Sequence, residues 1–118
     1  MKYFLLISLF LLSLSAFADC EVFTRFGMPK DICWIKDYRG YFSQKCLTGC
    51  EARTFLDKHN VKPQNIDRRG GKNPASQYCL ALGFSVVVMR DKNLGEQSFC
   101  EFPDKSVVDS NAFARSLK

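Results

Sequence analysis

Hydrophobic and polar positions divide the chain into one long apolar run and a series of short periodic segments. The run covers residues 4–14, behind Met1, Lys2 and Tyr3 and ahead of Ser15, Ala16, Phe17 and Ala18. One positive charge, an apolar stretch of roughly eleven residues and small side chains at Ala16 and Ala18 form the pattern of a cleaved secretory signal. Crossing the hydrocarbon of a bilayer takes about 20 apolar residues, so a transmembrane anchor is not expected. Asp19, in place of a small residue directly before Cys20, argues against lipid attachment at that cysteine. Cleavage is expected near Ala18 and Asp19, which places the product in the periplasm or the secreted fraction.

Beyond the run the periodicity alternates between strand and helix. Residues 21–26 (EVFTRF) are rich in strand formers and stop at Gly27, ahead of Pro29. Residues 33–45 (CWIKDYRGYFSQK) predict a hairpin turning at 37–40, with Gly40 supplying a positive φ. Thr48 and Glu51 read as a capping box for a helix running to about His59, with Asn60 as its left-handed cap. On that helix Ala52, Phe55, Leu56 and His59 form one apolar stripe. Residues 60–72 are polar and aperiodic, and read as a linker or long loop. Asn73 caps a helix that begins at Pro74 and ends at Gly83. Residues 84–90 (FSVVVMR) and 97–102 predict a second hairpin. Ser106 and Asp109 then offer another capping box for a terminal helix through Ala112, Phe113 and Arg115.

The expected organisation is a signal peptide at 1–18, a cysteine-rich hairpin and helix at 19–59, a linker at 60–72, and a helix-hairpin-helix unit at 73–118. The fold class is α+β, a small disulfide-stapled domain with β-hairpins and short helices. Removing the signal leaves about 100 residues, one domain burying roughly 60 to 70% of its unfolded surface. All six cysteines, Cys20, Cys33, Cys46, Cys50, Cys79 and Cys100, follow the signal. An even number in an exported chain points to three disulfides, although spacing alone does not choose among the pairings.

Charge changes the picture little. The chain carries +5 at neutral pH, and loss of Lys2 with the signal leaves +4. The one local basic cluster, Arg68, Arg69 and Lys72, reads as a solvated loop. Export and scattered charge together argue against nucleic acid as a partner.

A resemblance to a known family lies in NPASQYC at 73–79 and CEFPD at 100–104. Both blocks, at this distance, resemble a small bacterial domain of unknown function that often carries a hemolysin label. The resemblance covers residues 73–115. It departs from the family where Phe84 follows Gly83, where Lys105 replaces a turn glycine, and where Val108 and Lys118 replace two cysteines. It implies that Cys79 pairs with Cys100. The preferred pairing of the other four is then Cys33 with Cys46 and Cys20 with Cys50.

Candidate chemistry is sparse. His59, the only histidine, lies near a helix end, where the negative end of the helix dipole favours imidazolium over a general base. No G-x-S-x-G, H-E-x-x-H or phosphate-loop motif is present. Cys46, Cys50 and His59 lack a fourth zinc ligand, and C-x3-C is one residue too long for a redox C-x-x-C motif. No catalytic residue, metal or cofactor is therefore expected. A binding role remains, with Trp34, Tyr38, Arg39 and Tyr41 as the candidate contacts, since such residues dominate interface energetics. The expected function is a monomeric, non-catalytic exported module that binds a protein or envelope component. The alternatives are a membrane-active hemolysin-like factor and a small protease-inhibitor-like protein.

Overall fold

The computed structural model describes residues 19–66 and 73–118. The signal peptide and the cluster at Arg68, Arg69 and Lys72 lie outside the described residues. Six antiparallel strands, β1 (Asp19–Arg25), β2 (Met28–Ile35), β3 (Gly40–Ser43), β4 (Ser85–Arg90), β5 (Glu96–Glu101) and β6 (Val107–Asp109), close a barrel in the order β1-β2-β3-β6-β5-β4. Among the described residues three short α-helices, α1 (Glu51–Asp57), α2 (Pro74–Ala81) and α3 (Ser110–Ser116), and a 3-10 turn at Gln44–Leu47 accompany it. This corrects the α+β expectation: the hairpins on either side of residues 60–72 join one sheet. The joins are narrow, with β1 meeting β4 at Thr24 and Arg90, and β3 meeting β6 at Phe42 and Val108.

Two elements that the sequence pattern hid complete the barrel. Phe26 and Gly27 both take left-handed backbone angles, φ 52° and 76°. That pair makes a two-residue turn of the hairpin type, so the chain reverses at once and residues after Gly27 run back as β2. Pro29 is tolerated because it faces only β1, opposite Thr24, where β2 has no β3 partner. The second is β6, three buried residues between Ser106 and α3. The turn at 37–40 also forms by a different device from the one expected. Arg39 takes the positive φ of 49°, while Gly40 is needed because a Cβ there would collide with Ala112 and crowd Asp109.

The alternation of the strands builds two cores. Phe23, Ile32, Val87, Met89, Phe99 and Val107 fill the barrel, with Tyr41 packed against them. Phe42, Cys100 and Val108 point the other way and meet Ala52 and Leu56 of α1, Tyr78 and Cys79 of α2, and Ala112 and Phe113 of α3. Phe55, Phe84, Phe102 and Phe113 form one aromatic group in this second layer, with Phe55 stacked on Phe113 at 5.3 Å.

The helix caps explain how the layers are joined. Asn73 accepts from the Ala75 amide and Pro74 opens α2, as expected. The capping box at Thr48 and Glu51 does not form; Cys50 is the N-cap of α1. The Glu51 amide instead donates to Asp104 Oδ2 at 3.0 Å and the Ala52 amide to Ser106 Oγ at 3.2 Å. Ser106 is thus used on α1, and Asp109 alone caps α3 through the Ala112 amide at 2.8 Å. At the far end of α1, His59 takes the left-handed position (φ 49°) in place of Asn60.

The cysteine pairing is also corrected. Cys20 bridges Cys33, directly opposite in the β1–β2 ladder, and Cys46 bridges Cys50, four residues on. Cys33–Cys46 and Cys20–Cys50 do not occur. Cys79 and Cys100 are buried free thiols, against the pairing that the family resemblance implied. Two bridges are formed among the described residues, which fits an oxidising environment.

Candidate functional site at the ends of the barrel

The strands run so that β1 begins at one end of the barrel and finishes at the other. Asp19, Glu21, Trp34 and Tyr41 line a cavity of about 300 Å³ at the first end. Register places them together: Asp19 lies opposite Trp34, and Trp34 opposite Tyr41. The Cys20–Cys33 bridge fixes this ladder one residue in from the cavity. The Trp34 and Tyr41 rings meet edge to face at 4.9 Å, with Trp34 still 37% exposed. Burial raises the pKa of the Tyr41 phenol, and the carboxylates of Glu21, Asp19, Asp109 and Asp91 raise it further. The phenol therefore stays neutral in a negative field.

The opposite end holds a larger cavity of about 520 Å³. Its floor is the carbon surface of Ile32, Met89 and Val107, and its rim carries Lys30, Lys45, Lys105 and Asp31. Arg25 crosses it to pair with Glu101 at 2.9 Å. Lys45 pairs with Asp104 at 3.3 Å. Next to this opening stands the β1–β2 turn, where Phe26 is 94% exposed and Met28 61%.

The structure separates the four expected contact residues. Trp34 and Tyr41 share the acidic end, whereas Tyr38 and Arg39 line a different cavity of about 410 Å³ with Asp57, His59 and Arg115. Tyr38 donates to Asp57 at 2.6 Å, packs on Phe42 and lies under the Arg53 guanidinium. Burial raises its pKa first, and the Asp57 hydrogen bond adds to this against the Arg53 charge. Arg39 contributes its carbonyl, which accepts from Arg115. Both residues hold the β2–β3 turn to its neighbours. His59 is exposed at the mouth of this cavity rather than packed on the α1 stripe.

Asp19 and Glu21 at the acidic end, and Arg25, Lys30 and Lys105 at the other, were missed by sequence reasoning. Strand alternation was the available signal for four of them, since Asp19, Glu21 and Arg25 share the face of Phe23 and Lys30 that of Ile32, whereas Lys105 lies in a turn and carries none. Among the described residues no group of three or more metal-ligating side chains gathers, and no helix is long and apolar enough to cross a membrane.

Residues 70–116 match a family described as a domain of unknown function (DUF333). The matched segment takes in α2, β4, β5, β6 and α3, and agrees with the resemblance drawn from NPASQYC and CEFPD as far as a small domain of that description. No curated protein matches the chain, and no solved structure does.

Proposed function

We propose that this protein is an exported, non-catalytic binding module, released near Ala18–Asp19 into the periplasm or the secreted fraction, that grips a cationic group of a protein or envelope component. One observation carries the reading. Trp34 and Tyr41 wall a small cavity whose other lining is the carboxylates of Asp19 and Glu21. An ammonium or guanidinium gains there from aromatic faces and from opposite charge together, a combination worth about 1–2 kcal/mol when partly desolvated. The bridge at Cys20–Cys33 keeps the two strands in register, so little ordering cost is incurred on binding.

Trp34 is the only tryptophan, so its fluorescence reports on this cavity alone. Titration with a tetralysine peptide should give a saturable change that weakens with salt and disappears in Glu21→Gln/Asp19→Asn. A tetraglutamate peptide producing the same change would refute the reading. In envelope extracts, capture of a partner by the oxidised protein should fail with Trp34→Ala.

A further inference from the structure

We infer that the lysine-rimmed end of the barrel is a second binding site, and that its ligand is an amphiphilic anion: a carboxylate or phosphate joined to a hydrocarbon body. The inference stands apart from the acidic end, since the two cavities share no residue.

Charge accounting gives the sign of the ligand. Arg25 is satisfied by Glu101 at 2.9 Å and Lys45 by Asp104 at 3.3 Å. Lys30 and Lys105 have no ion-pair partner among the described residues, and only Asp31 opposes them on the rim. Lys105 is fixed where it stands: its amide donates to the Phe102 carbonyl at 2.8 Å, and its backbone is left-handed with φ 72°. The opening therefore presents two uncommitted ammonium groups, one on each side of the cavity, borne by β2 and by the turn before β6.

The floor gives the rest of the ligand. Ile32, Met89 and Val107, core residues each at most 5% exposed, back the cavity, so a hydrocarbon group seated there would lie against an apolar wall. A volume of about 520 Å³ lies in the usual range for small-molecule sites, which are often found at the mouths of β-barrels. Phe26 and Met28, exposed on the adjoining turn, extend the apolar surface beyond the rim, with the Arg25 guanidinium 5.7 Å from the Phe26 ring. Apolar groups beside uncommitted lysines match a molecule that joins a tail to a negative head. Such a ligand can arrive free or as part of a lipid surface.

Sodium decanoate is the probe for the free form, followed by calorimetry on oxidised protein. Decanoate should bind, with decanol at least tenfold weaker and inorganic phosphate not detected. Lys30→Glu/Lys105→Glu should weaken decanoate at least tenfold, and Lys30→Gln/Lys105→Gln should fall between. Both lysines are exposed and lack ion-pair partners, so the variants should keep the wild-type circular dichroism. Trp34 fluorescence should not respond, which keeps this result independent of the tetralysine experiment. In a second arm, phosphatidylglycerol and phosphatidylcholine vesicles are sedimented with the protein. Lysine-dependent binding of decanoate without vesicle binding identifies a free amphiphile, and lysine-dependent binding to phosphatidylglycerol identifies a lipid. Equal decanoate affinity in wild type and charge-reversed protein, or no binding to either probe, overturns the inference.

Discussion

The two ends of the barrel are each organised around one aspartate from the same short stretch of chain, yet the two are used differently. At the acidic end Asp109, only 8% exposed, accepts from the Tyr41 amide at 2.7 Å and from the Ala112 amide at 2.8 Å. It therefore ties β3 to the first turn of α3. At the lysine end Asp104, with its side chain 23% exposed, accepts from the Glu51 and Ser106 amides and pairs with Lys45. It ties α1 to the turn before β6. The lesson is that proximity to a cavity does not make a charge available to a ligand. Of the four carboxylates acting on Tyr41, Asp109 is committed to amides. Asp91 is committed to its own turn, through Asn93 and Gly95. Asp19 and Glu21 are left, as Lys30 and Lys105 are left at the other end.

The sharpest way to break this comparison is Asp109→Ala. Two amides lose their acceptor, one of them the helix cap, for a loss of about 3 kcal/mol. Thermal unfolding should show the midpoint fall by roughly 15 °C. A shift under a third of that would mean that water replaces the carboxylate and that the end is less closed than described.

Asp104→Ala comes next, at about 1.5 kcal/mol, because its amides are nearer water. This aspartate also predicts a pH dependence. Burial works against its charge, but the Glu51 amide, the Ser106 hydroxyl and amide and the Lys45 ammonium outweigh it and hold the pKa down to about 2. The folded value lies below the unfolded one of about 3.9. Its stabilisation is therefore complete above about pH 4 and fades as the pH falls toward 2. Denaturant midpoints measured across that window should drop less steeply in Asp104→Ala than in wild type; parallel curves would remove Asp104 from the account.

Arg25→Met with Glu101→Gln should have the smallest effect on stability. A partly exposed pair contributes about 1 kcal/mol or less, and salt should erase what there is. Between the two ends, thiol titration tests the cysteine assignment. Unreduced protein should show no reactive thiol when folded and the two of Cys79 and Cys100 once unfolded. Burial, followed by the neighbouring Cys79, raises the Cys100 pKa and keeps that thiol protonated and inert.

Much of the chain was legible because local chemistry decided it. Asn73, Pro74 and Gly83 bound α2 at both ends as their side-chain and backbone preferences require. Residues 85–90, all but the first position of the expected strand, formed one because β-branched side chains crowd one another less there. What failed was set by contacts distant in sequence. Glu51 and Ser106 looked like parts of two local capping boxes, but one helix is capped by a turn more than 50 residues later. Phe26 reads as an end of a strand, since a left-handed aromatic is rare and carries no sequence mark. Of the site residues, Trp34 and Tyr41 were found by type, and Asp19, Glu21, Arg25, Lys30 and Lys105 were not. The role of the last three depends on barrel closure, which no single hairpin reveals.

The seams where that closure occurs carry a consequence for the segment matched by the domain family. Residues 70–116 contribute half of the staves and none of the sulfur bridges. Cut free, they would leave the outer margins of β4 and β6 bare and open the apolar face of Val87, Met89, Phe99 and Val107 to water, a combination that invites pairing with copies of itself. The preceding hairpins thus act as an intramolecular escort, with β1 and β3 occupying the two margins that another chain could otherwise pair with.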